Sequence, residues 1–497
     1  MDITVLFFLS SGLFLGWSLG ANDAANIFGT AVGTRMIQFA TAAVICAVFV
    51  VLGAVFGGAG AAHGLGKLGA VNALAGSFVV ALAAAVTVYG MTKAGLPVST
   101  TQAVVGGIIG WNLFGGFLTD TETLAKIVAT WVICPVLGAI FAAVLYKATV
   151  AFLHWAKIHM VRLDAWTRAA LVITGAFGAY SLGANNIGNV MGVFISSSPF
   201  EDVNVGDLFT LTSVQQLFLL GGLAIAVGVF YSKPVMMTVG NSILPVSPIG
   251  AWVVVMSHSL VLFIFSSNEL LSFIVNLGLP AYPLIPVSSS QAVIGAVIGI
   301  GLTHGMAGIR QIKWGVLADI SAGWVLTPVI AAVISFFSLF VMQNVFQQQV
   351  FQKVHYELSG PVVQHLADSG IATTAFENLL GKQIVSAAAF RDALLKDTEL
   401  SESDEVRVIE SAEIYRTAAT TENLASLDRS FLGPERSKAV EALAGRSFNH
   451  KWQLRKALTS LSPAWQPKEA TALNKDYNTK LNEMYEYLFT HLHSDKQ

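Results

Sequence analysis

Apolar residues dominate the first 343 positions in long runs, and a polar, helix-periodic pattern follows them. A helix needs about 20 mostly apolar residues to span the hydrocarbon core of a bilayer. The pattern predicts spans near 3–19, 36–58, 71–93, 123–147, 168–182, 213–231, 249–276 and 314–341. The opening stretch lacks a basic start and runs directly into Gly20-Ala21-Asn22-Asp23 without a typical cleavage site, so it reads as the first membrane helix rather than a leader. Between 343 and 352 the chain turns polar, and stretches such as 378–400 and 473–492 space apolar residues three and four apart, as amphipathic helices do. The expected fold is all-α: a polytopic membrane protein with a soluble helical domain at 344–497.

Composition agrees with that pattern. Of 497 residues, 54% are hydrophobic and 12% charged, with a mean hydropathy of +0.65. Soluble domains carry about twice that charged share. A soluble enzyme, a nucleic-acid binder and a disordered scaffold are excluded, and the net charge of −2 gives no reason to expect a polyanionic partner. Residues 344–497 hold 17 of the 28 Lys+Arg and 20 of the 30 Asp+Glu, which sets the domain boundary. Cys46 and Cys134 lie far apart in apolar stretches, so no disulfide framework is expected. The ten histidines form no metal-binding pattern, and no phosphate loop, nucleophile elbow or zinc signature is present. The chain therefore reads as no enzyme, with no cofactor, driven by an ion gradient. The C-terminal domain carries no catalytic constellation and is expected to regulate, assemble or stabilise the rest.

Internal repetition is the strongest signal. Gly20-Ala21-Asn22-Asp23-Ala24-Ala25-Asn26 returns as Gly183-Ala184-Asn185-Asn186-Ile187-Gly188-Asn189, each copy preceded by an aromatic residue, Trp17 or Tyr180. Pro97-Val98-Ser99-Thr100-Thr101-Gln102-Ala103-Val104-Val105-Gly106 returns as Pro286-Val287-Ser288-Ser289-Ser290-Gln291-Ala292-Val293-Ile294-Gly295. Trp131-Val132-Ile133-Cys134-Pro135 returns as Trp324-Val325-Leu326-Thr327-Pro328. Three matches in the same order divide the chain into a membrane repeat at 1–147, a linker at 148–167 and a second repeat at 168–343.

Charge suggests that the repeats are inverted across the membrane. Arg35 follows the first Gly-Ala-Asn motif, whereas Glu201, Asp202 and Asp207 follow the second; Asp120 and Glu122 precede the first Trp motif, whereas Arg310 and Lys313 precede the second. The positive-inside rule expects this of inverted repeats. Lys147, Lys157, Arg162 and Arg168 put the linker in the cytoplasm, and the C-terminal domain then falls on the outer face.

Irregular backbone at membrane depth survives where it lines a cavity or lies inside protein. The two Pro-Val-hydroxyl triplets are such segments, and proline with Ser/Thr suits a helix start, whose free N–H groups and positive dipole end favour an anion. Ser99, Thr100, Thr101 and Gln102, with Ser288, Ser289, Ser290 and Gln291, are the candidate anion-binding set. Ser/Thr can also simply glue membrane helices, but two matching triplets after proline favour the functional reading. Asp23 is an ionisable group in an apolar region, which marks an ion or proton path. With Asn22, Asn26, Asn185, Asn186 and Asn189 it offers the oxygens a hard cation takes, and sodium at Asp23, Asn26 and Asn189 is the expected arrangement. Helix capping by Asp23 is the competing explanation. Glu269 and Asp319 read as packed or interfacial carboxylates.

These paired motifs resemble the inorganic phosphate transporter (PiT) family, whose signature is a duplicated Gly-Ala-Asn-Asp-x-x-Asn and a duplicated Pro-x-Ser-Thr-Thr-His. The region 221–248, with Thr238-Val239-Gly240 and Pro245-Val246-Ser247-Pro248, is also similar to the family's second half. The resemblance covers roughly 1–343 and none of the C-terminal domain. It implies an alternating-access, elevator-like carrier in the cell membrane of a bacterium, with broken helices and with phosphate and cations bound where the repeats meet. It implies that the six hydroxyls contact the anion and that Asp23, Asn22, Asn26, Asn186 and Asn189 hold sodium or support the site; the Gly-Ala-Asn-Asp form resembles the sodium-coupled branch. A homodimer is compatible with it. Asn186 stands where the family has Asp, and Gln102 and Gln291 where it has His. Each change removes a titratable group, which keeps a sulfate permease and proton coupling open beside sodium-driven phosphate import. An anion channel and a receptor built on the C-terminal domain are the readings from other classes.

Overall fold

The computed structural model describes residues 3–60, 62, 68, 71–93, 98–200, 202–205, 209–242, 246–280, 282–371, 374–396, 400–425, 427, 429–469 and 474–494. Pro97, Glu201, Asp207 and Pro245 of the motifs above lie outside these residues. The chain separates into two compact units, one made of 1–115, 119–271 and 282–352, the other of 116–118, 272–281 and 353–497.

The first unit is helical. Its elements are α1 (Ile3–Gly33), α2 (Phe39–Gly57), α3 (Leu74–Lys93), α4 (Thr100–Gly115), α5 (Thr121–Ala156), α6 (Met160–Met191), α7 (Ser213–Val229), α8 (Lys233–Ser242), α9 (Pro248–Ser266), α10 (Asn268–Asn276), α11 (Ser289–Thr303), α12 (Gly305–Gln311) and α13 (Trp314–Asn344). Helix α10 runs on into the second unit. A short antiparallel pair, β1 (Val203–Val205) with β2 (Phe209–Leu211), precedes α7. Among the described residues α1, α2, α3, α5, α9 and α13 are long and apolar enough to cross a membrane, and α7 and α11 are shorter apolar helices.

Two expectations change. The first span does not stop at the Gly-Ala-Asn-Asp motif: α1 continues through it to Gly33, and α6 carries the second copy through to Met191. Intrahelical hydrogen bonding satisfies the buried backbone there, which outweighs the weak helix propensity of Gly, Asn and Asp. The span expected at 249–276 is two helices. Ser267 is extended, and its hydroxyl accepts the N–H of Leu270 at 3.1 Å, capping α10.

Helix packing repeats under exchange of the two halves. α2 packs on α6 as α7 packs on α1; α11 packs on α5 as α13 packs on α4; α3 lies against α1 and α4 as α9 lies against α6 and α11. Reciprocal contacts of this kind are what a two-fold axis generates. They meet at motif glycines. A β-carbon on Gly106 would lie 2.1 Å from the Pro328 carbonyl oxygen, and one on Gly295 would lie 2.0 Å from that of Pro135. Likewise a β-carbon on Gly20 would lie 2.0 Å from the Ile225 carbonyl oxygen, and one on Gly183 2.1 Å from that of Val50. Small residues let membrane helices approach at backbone distance. The Pro of each Trp motif therefore sits on the glycine that closes the other repeat's hydroxyl segment.

In the second unit, β3 (His355–Glu357) pairs antiparallel with β4 (Gln383–Val385) and β5 (Glu413–Ile414). Helices α14 (Gly360–Asp368), α15 (Ala387–Leu395) and α16 (Glu402–Ala412) bury Val362, Leu366, Phe390, Leu394 and Val408 with Tyr356 and Phe376. A second core gathers Leu454, Leu458, Trp465, Leu488 and Phe489 from α17 (Lys451–Leu461), α18 (Lys475–His491) and the turn between them. Its strands are two and three residues long, too short to leave the alternating pattern that would have announced them.

Candidate functional site

Each hydroxyl triplet opens a helix, as the proline and hydroxyl pattern predicts, and its three members have different tasks. The first member is a cap. Ser99 Oγ accepts the backbone N–H of Gln102 at 3.4 Å, and Ser288 Oγ that of Gln291 at 3.2 Å. The third member ties the repeats together. Thr101 Oγ1 donates to the Val287 carbonyl at 3.5 Å, and its counterpart Ser290 Oγ donates to the Val98 carbonyl at 3.2 Å. Each of these hydroxyls also accepts from an asparagine of a motif helix, Asn189 Nδ2 at 2.8 Å for Thr101 and Asn26 Nδ2 at 3.3 Å for Ser290. The arrangement is two-fold symmetric to the atom type.

The middle members are Thr100 and Ser289. Thr100 Oγ1 has no hydrogen-bond partner among the described residues. Ser289 Oγ accepts from Asn26 Nδ2 at 3.0 Å and lies 2.9 Å from His258 Nε2 on α9. A carbonyl can only accept, so Ser290 spends its hydrogen on Val98 and must face a donor; this fixes the Asn26 amide with its nitrogen toward both serines.

Among the remaining asparagines, Asn185 grips the segment before α11 at both ends of its amide, donating to the Val287 carbonyl at 2.8 Å and accepting its N–H at 3.0 Å. Asn186 Oδ1 accepts from Asn189 Nδ2 at 2.9 Å. Asn22 donates instead to Thr92 Oγ1 at 2.7 Å, on α3, and is not drawn into this network. Asp23 sits mid-helix in α1, 3% exposed, which excludes the cap explanation. Its Oδ1 has no hydrogen-bond partner among the described residues, and neither have Asn189 Oδ1, Asn186 Nδ2 or the Oε1 atoms of Gln102 and Gln291.

Polar atoms buried without partners cost about 1–3 kcal/mol each, so a cluster of them suits polar ligands. A carboxylate oxygen with the amide oxygens of Asn26 and Asn189 is a donor set for a hard cation. Thr100 and Ser289, whose hydroxyl hydrogens are not given to a neighbouring carbonyl, together with two helix starts make a donor set for an oxyanion. Glu269 accepts from Ser267 Oγ at 3.0 Å and Asp319 is exposed, so neither joins the network. Cys46 and Cys134 are both buried and unbridged. His258 is the residue that sequence reading missed. A histidine inside the apolar run of α9 is itself a signal, since ionisable groups at membrane depth are costly.

The model of the phosphate transporter family matches residues 19–281 and 269–492. The second match runs through the C-terminal unit, so the family likeness extends beyond the 343 residues that carry the motifs. A putative phosphate permease of Pyrococcus furiosus is 27% identical over 415 residues, covering 67% of this chain and 95% of its own. One of Methanocaldococcus jannaschii is 27% identical over 340 residues, covering 68% and 97%, and one of Haemophilus influenzae is 22% identical, covering 67% and 96%. A solved structure described as the sodium-dependent phosphate transporter shares the fold, with a TM-score of 0.53 and 24% identity over 69% of this chain and 99% of that one. Repeated motifs, reciprocal packing and the family match agree: this chain is a multi-pass membrane protein of the phosphate transporter family.

Proposed function

We propose that the protein imports inorganic phosphate by alternating access, coupled to an inward sodium gradient. The observation that carries this reading is the symmetric network in which Asn26 and Asn189 hold the hydroxyl segments of both repeats at one locus. Thr100 and Ser289 donate to the anion together with the N–H groups at the starts of α4 and α11, and Gln102 and Gln291 stand beside them. Asp23, Asn26 and Asn189 take sodium, whose charge offsets that of the Asp23 carboxylate beside an anion site whose other groups are neutral. Two halves related by a two-fold axis can exchange their local conformations, opening the site to one side and then the other.

Sulfate is the second reading. Neutral Asn186, Gln102 and Gln291 provide no carboxylate to accept the proton that monohydrogen phosphate carries. Uptake of labelled phosphate and labelled sulfate into proteoliposomes, each with and without a sodium gradient, separates the two. Sodium-driven phosphate uptake that excess sulfate leaves unchanged is the expected result. Sulfate uptake that excludes phosphate would overturn the substrate assignment. Phosphate uptake indifferent to sodium but driven by a proton gradient would overturn the coupling ion. Sustained currents far above carrier turnover would point to a channel.

A further inference from the structure

His258 breaks the symmetry of the site. The network pairs Asn26 with Asn189, Thr101 with Ser290 and Ser99 with Ser288, yet Ser289 has an imidazole at 2.9 Å and its counterpart Thr100 has no partner among the described residues. His258 is fully buried on α9, and its Nδ1 has no hydrogen-bond partner among the described residues. That leaves two ways to place the protons. If the Ser289 hydroxyl donated to Nε2, the imidazole hydrogen would sit on Nδ1 as a buried N–H without an acceptor, a rare state in folded proteins. If Nε2–H donates to Ser289 Oγ, a bare Nδ1 acceptor is left, which is better tolerated. In this second arrangement Ser289 Oγ accepts from both Asn26 and His258. Both its lone pairs are used, so its hydrogen points out of the network.

We propose that His258 is a positioning residue of the anion site, one that commits the Ser289 hydroxyl to donating to the bound oxyanion. Thr100, with no hydrogen-bond partner among the described residues, remains free to donate or accept. The two middle hydroxyls thus differ: one is a fixed donor for an unprotonated anion oxygen, and the other adapts to a protonated one. Monohydrogen phosphate presents both kinds of oxygen. This rests on the anion-binding reading above and assigns it a residue that neither repeat motif contains.

The test is sodium-driven phosphate uptake by the full-length protein in proteoliposomes, with KM and kcat for His258→Phe, His258→Gln, Ser289→Ala, Thr100→Ala and the His258→Phe/Ser289→Ala pair. A hydrogen bond to a charged group is among the stronger ones a protein makes. Ser289→Ala should therefore raise KM roughly tenfold or more, since 1.4 kcal/mol is a factor of ten. His258→Phe should raise KM by a similar factor with kcat little changed. His258→Gln, which keeps an N–H donor, should stay near wild type. The pair should be no worse than Ser289→Ala alone, because His258 acts through that hydroxyl. Wild-type KM in His258→Phe, multiplying effects in the pair, or a Gln variant as impaired as the Phe variant would each overturn the proposal. If Ser289→Ala and Thr100→Ala raise KM while His258→Phe does not, the positioning role alone fails. If neither hydroxyl variant changes KM, the anion-binding reading fails and takes this proposal with it.

Discussion

A single carboxylate carries most of the electrostatics of the site. Asp23 is buried in α1, one turn before Asn26, with an oxygen that no protein group satisfies among the described residues. Asp23→Asn keeps the side-chain shape and the helix but removes the charge that a hard cation needs. Uptake by this variant should lose its sodium dependence, with rates in the presence and absence of sodium agreeing within about twofold, and maximal uptake should fall by roughly tenfold or more if coupling supplies over 1.4 kcal/mol. Unchanged sodium-stimulated uptake would mean that Asp23 is not an ion ligand. The sequence exposed Asp23 because an ionisable residue in an apolar run is conspicuous. It could not separate the roles of the six hydroxyls, because each role depends on which carbonyl or amide the other repeat brings to it. The same limit hid His258, whose partner Ser289 is 31 residues away, and the bond from Asn22 to Thr92.

Elements show where repetition becomes architecture. The Trp-x-x-x-Pro motif on α5 and α13 looked like a third copy of something without a task. Proline removes the N–H that would bond to the carbonyl four residues earlier and distorts the helix there. Here the segment at Pro135 receives Gly295, and the one at Pro328 receives Gly106, at backbone distance. The packing of these glycines is not legible in the sequence, because similarity within one half says nothing about which helix of the other half lies opposite. Gly295→Ala and Gly106→Ala should each destabilise the protein by at least about 1–3 kcal/mol, the usual cost of overpacking. Among the described residues, nothing beyond the chain neighbours and local helix backbone of Gly90 on α3 lies within 4 Å of where its β-carbon would be, and Gly90→Ala should be neutral or stabilising by up to about 1 kcal/mol from helix propensity. Thermal unfolding in detergent, followed by retention of the monodisperse peak, compares the three. Equal midpoints would refute the close approach.

At the scale of the whole molecule, the side occupied by the C-terminal unit follows from two routes through the chain. Helix α5 begins beside Asp120 and Glu122 and ends beside Lys157, followed by Arg162 and Arg168. The positive-inside rule predicts that basic end in the cytoplasm, and with it residues 116–118, which belong to the C-terminal unit, on the outer face. Helix α13 begins beside Arg310 and Lys313 and, at 31 residues, is long enough to carry the chain across before residue 353 enters the same unit. Both routes predict the outer face, each from its own set of charges. Lys456, exposed on α17, and Lys157, exposed at the end of α5, then lie on opposite sides of the membrane. Native Cys46 and Cys134 are buried, so background labelling should be low. A membrane-impermeant maleimide should label Lys456→Cys on intact cells and leave Lys157→Cys unmodified until the membrane is opened. Labelling of Lys157→Cys alone would turn the protein over and put the C-terminal unit in the cytoplasm.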